Sequence, residues 1–172
     1  MKIWTLGHSN RSAAALIELA LSIPLDVLLD VRTIPRSKRN PQFDRDQLAW
    51  ELEQVGIEYV HEKRLGGMRV PRPDSPHTGL EAEGMRGYAD HMESASFREG
   101  VDELLQRAAS QRCGLMCAEA SPWHCHRSLL CDSLFARGVD VHHRIDLQTD
   151  EPHRLTPRAQ LRGERVAYPS LL

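Results

Sequence analysis

The sequence predicts a single α/β domain, built on a mostly parallel sheet of about five strands with helices on both faces. Three observations predict it. Short apolar runs alternate with stretches whose apolar residues recur at helical spacing. The run Leu25–Val31 is nearly all apolar, as expected of a strand covered on both faces. Polar and reactive residues fall just after the apolar runs, which in a parallel sheet collects them along one edge.

Ile3-Trp4-Thr5-Leu6, closed by Gly7, reads as the first strand. Ser12 to Leu21 carries Leu16, Ile17, Ala20 and Leu21 at helical spacing, and Pro24 stops it. Leu25 to Val31 is the second strand, followed by a polar loop from Arg32 to Phe43. Asp44 with Gln47 resembles a capping box, and Leu48, Leu52 and Val55 continue that helix to Gly56. Ile57 to Val60 is the third strand. Residues 61–87 are rich in Gly, Pro and charge, a long loop of the functional or disordered kind.

A short helix is expected over 87–93. Ser96 and Glu99 form a second capping box, with Val101, Leu104, Leu105 and Ala108 carrying the helix behind it. Cys113 to Cys117 is the fourth strand. A helix opening near His126 runs through Leu130 and Leu134 and ends at Gly138. Val139 to Ile145 is the fifth strand. The α/β domain thus spans 1–147, and residues 148–172, with Pro152, Pro157 and Pro169, form an extended tail packed on it.

The 172 residues suffice for one full core, and 41% hydrophobic with 27% charged residues is ordinary for a globular protein. A net charge of −2 gives no global attraction to nucleic acid or membrane, so any affinity for phosphate has to be local. No apolar run reaches membrane-spanning length, and the N-terminus enters a strand directly, so the expected location is cytoplasmic and no membrane partner is expected. The four cysteines, Cys113, Cys117, Cys125 and Cys131, sit close together in one stretch, which suits free thiols in a reducing compartment.

The stretch from Cys117 to Ser128 carries most of the chemistry. It is a strand, a loop and a helix start, a unit that aims free backbone N–H groups and a positive helix end at one spot. Cys117, Glu119, His124, Cys125, His126, Arg127 and Ser128 gather there. Three chemistries fit. Cys117, facing a helix end and Arg127, has the setting of a low-pKa nucleophile. The short Cys-to-Arg spacing of phosphatase and rhodanese loops is absent, because nine residues separate Cys117 from Arg127. A metal held by Cys117, His124, Cys125 and His126 matches no closed four-ligand spacing, so no metal or other cofactor is expected. Alternatively Glu119 is the acid or base, and the cysteines are small buried hydrophobes.

Other strand ends add His8, Asp30, Arg32, Arg36, Arg39 and Asn40. Asp30 and Arg32 are either a structural ion pair or part of the site. Arg32, Arg36, Lys38 and Arg39 are either a solvated face or a local positive patch. Ser9 and Asn10 are candidates to cap the first helix. Trp50 and Tyr59 read as packing residues.

Several motifs together carry a family resemblance. They are Thr5-Leu-Gly-His-Ser-Asn-Arg11, Leu29-Asp-Val-Arg32, Pro35-Arg-Ser, Asn40-Pro-Gln-Phe43, Leu65-Gly-Gly67 and Pro71-Arg-Pro-Asp-Ser-Pro76. Further along come Arg86-Gly-Tyr-Ala-Asp90, Met116-Cys-Ala-Glu119, Cys125-His-Arg-Ser128 and Tyr168-Pro169. With these the chain resembles the family of domain of unknown function (DUF) 488, small prokaryotic proteins. The resemblance spans nearly the whole chain and implies an α/β fold. It supplies no activity.

The residues themselves point to an enzyme acting on a phosphate-bearing substrate, a nucleotide or nucleic acid. Arg32, Arg36, Arg39, Asn40 and Arg127, with Cys125, His126 and Ser128 at the helix start, would hold the anion. Asp30, Glu119 and His8 are acid–base candidates, and Cys117 is the candidate nucleophile. Two alternatives remain open: a nucleotide or nucleic-acid binding module without chemistry, and a thiol, metal or redox protein.

Overall fold

The computed structural model describes residues 1–170. Its strands and helices follow the apolar pattern closely. β1 (Lys2–Gly7), α1 (Ala13–Leu21) and β2 (Val27–Asp30) come first, then α2 (Arg45–Gln54) and β3 (Glu58–His61). α3 (Glu83–Met92) and α4 (Ala95–Ala108) precede β4 (Cys113–Cys117), α5 (Arg127–Ala136) and β5 (Asp140–Arg144). The C-terminal stretch adds β6 (Asp150–Pro152) and the hairpin β7 (Gln160–Arg162) with β8 (Arg165–Ala167).

The six-stranded sheet has the order β3-β2-β4-β1-β5-β6. Its first five strands are parallel and β6 joins antiparallel to β5. The expected five strands are present, and the tail supplies the sixth. All five residues of β4 are buried, as the centre of a sheet covered on both faces requires.

Side chains alternate between two cores. Val27, Leu29, Cys113, Leu115 and Val141 face α3, α4 and α5, where Tyr88, Phe97, Val101, Leu129 and Leu134 cover them. Trp4, Leu6, Leu28 and Met116 face α1 and α2, where Leu16, Leu19, Leu48 and Leu52 cover them. β1 and β4 are neighbours, yet the chain leaves β1 for the α1 face and β4 for the α5 face. Such a switch point opens a crevice at the carboxyl ends of the two strands.

Three caps differ from expectation. The Asp44 side chain does not cap α2; it accepts the Ser37 N–H (2.9 Å), and Gln47 reaches Glu51 instead. α4 is capped by Ser94, whose Oγ accepts the Phe97 N–H, so Ser96 lies inside the first turn. Both serines fit the local pattern, and the earlier one makes the bond. Ser12 caps α1, rather than Ser9 or Asn10, and Ser9 adopts a left-handed conformation (φ 48).

The tail is extended and well anchored. β6 extends the sheet, Tyr168 is fully buried, and the Gly79 N–H donates to the Tyr168 carbonyl. Leu171 and Leu172 lie outside the described residues. No helix among the described residues is long and apolar enough to cross a membrane.

Candidate functional site

The loops after β1 and β4 stay zipped beyond the sheet. The His8 N–H donates to the Cys117 carbonyl (3.0 Å) and the Ser9 N–H to the Ala118 carbonyl (2.8 Å). Between them Gly7 is obligatory, since a Cβ there would lie 1.8 Å from the Glu119 oxygen. The opposite wall comes from the 61–87 segment. Gly67 packs so closely on His126 that a Cβ would sit 2.7 Å from its Nδ1, and Met68 is left-handed (φ 57). Two non-glycine residues in this sparsely populated conformation, Ser9 and Met68, thus flank one cleft, a placement common at functional sites.

The cleft encloses about 870 Å³ at the switch point. His8, Arg32, Cys117, Cys125 and His126 form its inner part; Arg36, Arg39, Asn40 and Glu119 its polar rim; Ile34, Met68, Ala82 and Met85 its apolar side. Volume and mixture are those of a small-molecule site.

Cys117 Sγ lies at the floor, 2.7 Å from Cys125 Sγ, and Cys125 Sγ lies 3.5 Å from His126 Nδ1. His126 Nε2–H donates to the Val31 carbonyl (3.0 Å), which leaves Nδ1 as a lone pair towards the thiol. Burial first, and Arg127 with it, lowers the His126 pKa to about 4, so the ring is neutral. The Cys117 thiol is lowered to about 7 by the Cys125 S–H donated to it, against the opposing effect of burial; the Arg127 charge and the Glu119 backbone add to the lowering. Cys125 is pushed far up by the same contact and by burial, so it keeps its proton and donates it. The positive end of α5 points at this sulfur pair, with the Arg127 N–H 3.5 Å from Cys125 Sγ.

Three of the expected site side chains do not face the cleft. Asp30 is fully buried and saturated: its oxygens accept the Arg32 N–H, Nε and Nη2 (2.6–3.0 Å) and the Tyr59 hydroxyl (2.6 Å). The ion-pair alternative describes it, and Tyr59 is a bonding as well as a packing residue. Arg127 turns inward, donating to the Leu6, Glu119 and Ala120 carbonyls. Ser128 is fully buried and donates to the Cys125 carbonyl (2.9 Å). Arg32 reaches the cleft but is held by Asp30 and the Phe43 carbonyl (2.8 Å).

Arg32 Nη1 also donates to His8 Nε2 (3.3 Å), while His8 Nδ1–H donates to the Ser9 carbonyl (2.8 Å). This fixes the neutral tautomer, and burial lowers the His8 pKa further. Arg36 is free to move, 82% exposed and 4.0 Å from Asp44. Trp50 is 55% exposed on α2, not packed as expected.

A buried cluster away from the cleft was not singled out by the sequence. Cys131, His143 and His153 converge beneath Trp123 and are joined to Asp132, Thr5, Thr156 and Tyr168. Strand alternation puts His143 on the inward face with Val141, which is a legible signal; His153 lies in the tail, where no period applies.

No curated protein and no solved structure matches the chain. The family model described as domain of unknown function DUF488 matches residues 12–134, well over half of the 172 residues, and takes in the cleft lining from Arg32 to His126 but not His8, Ser9 and Asn10. The chain therefore belongs to the DUF488 family.

Proposed function

We propose that this protein is a thiol-dependent enzyme acting on a phosphate-bearing small molecule of nucleotide size, bound in the switch-point cleft. The observation that carries the reading is the Cys117 sulfur at the cleft floor, held near its ionisation midpoint at neutral pH. Arg36, Arg39 and Asn40 at the rim supply cationic and amide donors for the phosphate, and the Ile34, Met68 and Met85 side accepts an apolar or planar portion. In this reading Cys117 attacks the electrophilic centre, the leaving group departs with a proton, and water releases the product and restores the thiolate. Glu119, exposed at the rim, is the proton-transfer group.

The alternative of a binding module without chemistry draws support from the burial of Cys117, which is only 1% exposed. A panel of nucleoside mono-, di- and triphosphates and sugar phosphates separates the two, by measuring binding and turnover for the wild type and Cys117→Ser. Turnover lost in the variant with binding retained supports the enzyme. Binding without turnover in the wild type supports the module. Absence of binding to any member sinks both.

A further inference from the structure

The cluster beneath Trp123 lies on the α5 side of the sheet, and none of Cys131, His143 and His153 lines the cleft. His143 is on β5, Cys131 and Asp132 are on α5, and His153 follows β6. The Cys131 sulfur and one nitrogen from each imidazole all lie within 4.8 Å of one another. His143 Nε2 and His153 Nδ1 face each other at 2.9 Å. The outward nitrogens are held by other groups. His143 Nδ1 lies 2.7 Å from Thr5 Oγ1, and His153 Nε2 lies 2.8 Å from Asp132 Oδ1. Asp132 is itself fixed by the Thr156 N–H (3.0 Å), the Thr156 hydroxyl and the Tyr168 hydroxyl (2.8 Å).

We propose that Cys131, His143 and His153 form a binding site for a divalent cation of the zinc class. One thiolate with two imidazoles is a donor set that suits such an ion, and three protein ligands leave a fourth position for water or a small anion. The surrounding bonds are those a metal site requires. An imidazole ligand donates its second N–H to a carboxylate or a hydroxyl, which fixes the tautomer and the ring plane; His153 has Asp132 in that role and His143 has Thr5.

The proton balance is simple. Without a cation, His143 Nε2–H donates to His153 Nδ1, and Thr5 donates to His143 Nδ1. With a cation, the His143 proton moves to Nδ1 and is donated to Thr5, and both facing nitrogens become free as ligands. Cys131 releases its proton to solvent as the sulfur–metal bond forms, so binding strengthens as pH rises. No oxidation or reduction is involved.

The three ligands are buried, which shields the site from solvent. Trp123, stacked on His153 with centroids 5.6 Å apart and edge-on to His143 at 5.3 Å, screens it. The cation would tie the C-terminal stretch, through His153, to α5 and β5.

Cobalt(II) and zinc(II) added to protein stripped with a chelator test this. The wild type should bind about one equivalent of cobalt with a sulfur-to-cobalt charge-transfer band and the intense visible bands of a low-symmetry four-coordinate site. Zinc should displace the cobalt and raise the Tm. Cys117→Ser/Cys125→Ser should retain the band, which assigns the sulfur away from the cleft. Cys131→Ser should lose it, and His153→Gln should lose the zinc-induced rise in Tm. If Cys131→Ser does not fold, the cleft double variant and His153→Gln still decide. No sulfur band in the wild type, or a band lost in the cleft double variant, overturns the proposal.

Discussion

The Arg127 guanidinium is buried under the cleft without a carboxylate partner among the described residues, and its charge favours the ionised form of the neighbouring thiols Cys117, Cys125 and Cys131. Its three carbonyl partners satisfy hydrogen bonds but do not balance charge, and its Nε has no partner. A buried unbalanced cation is costly, so a neighbouring group that can ionise is stabilised as the anion. Arg127, expected from the sequence to hold a ligand's anion, directs its guanidinium to main-chain carbonyls beneath the cleft.

Cys117 should therefore alkylate with a pH midpoint of about 7. Thiolate is the reactive form, so the iodoacetamide rate should rise as pH increases through that value and then level off. Cys125→Ala removes the first cause of the lowering and should move the midpoint upward. Mass spectrometry of the labelled peptide at a series of pH values measures both. A midpoint at the ordinary thiol value in the wild type would remove the basis for a nucleophilic Cys117.

Arg127→Ala should destabilise by about 3 kcal/mol or more, because it strands buried carbonyls of Leu6, Glu119 and Ala120. Arg127→Lys should not restore the loss, since one ammonium cannot span what a planar fork does. Urea unfolding of the three proteins gives the comparison, and a loss below about 1 kcal/mol would deny the latch.

Asp30→Asn should cost on the order of 3–5 kcal/mol, because Arg32 is left charged and nearly buried without its partner. Tyr59→Phe, which removes one donor to the same carboxylate, should cost roughly 1.5–3 kcal/mol. Thermal or urea melts check the ranking: Asp30→Asn has to be the more damaging of the two.

Much of this arrangement is written in local pattern. The run Leu25–Val31, the Cys113–Cys117 strand and the gathering of polar residues after strand ends all follow from periodicity and from the geometry of parallel sheets. The direction of a side chain just past a strand end does not. Asp30 and Arg32 fold back on each other because Tyr59, from the neighbouring strand, completes the carboxylate's shell. Arg127 carried a signal that was readable: with Cys131 and Leu134 it stands at helical i, i+4 and i+7, on the buried face of α5. Charge there argues against solvent and against a ligand. The His143–His153 contact joins a sheet strand to the tail, and no local pattern specifies such a pairing.

The rim arginines carry the test of what the cleft binds. Arg36 is largely exposed with only a 4.0 Å approach to Asp44, and Arg39 is exposed in the same loop. Removing both should leave stability within about 0.5 kcal/mol of the wild type, as for other surface changes. The loop itself is held by backbone and by Asp44, which accepts the Ser37 N–H, so its course should survive. If a phosphate-bearing molecule sits in the cleft, Arg36→Ala/Arg39→Ala should weaken it by roughly 1.5–3 kcal/mol per lost charge-assisted contact, at least tenfold in Kd. The salt dependence should flatten by about one to two in the log–log slope, since fewer charges are neutralised on binding. Titration of both proteins at two salt concentrations, with each nucleotide that the wild type binds, reads affinity and slope together. Unchanged affinity in the double variant would mean that the rim charges are solvated and the ligand is uncharged, and the phosphate reading would then be abandoned.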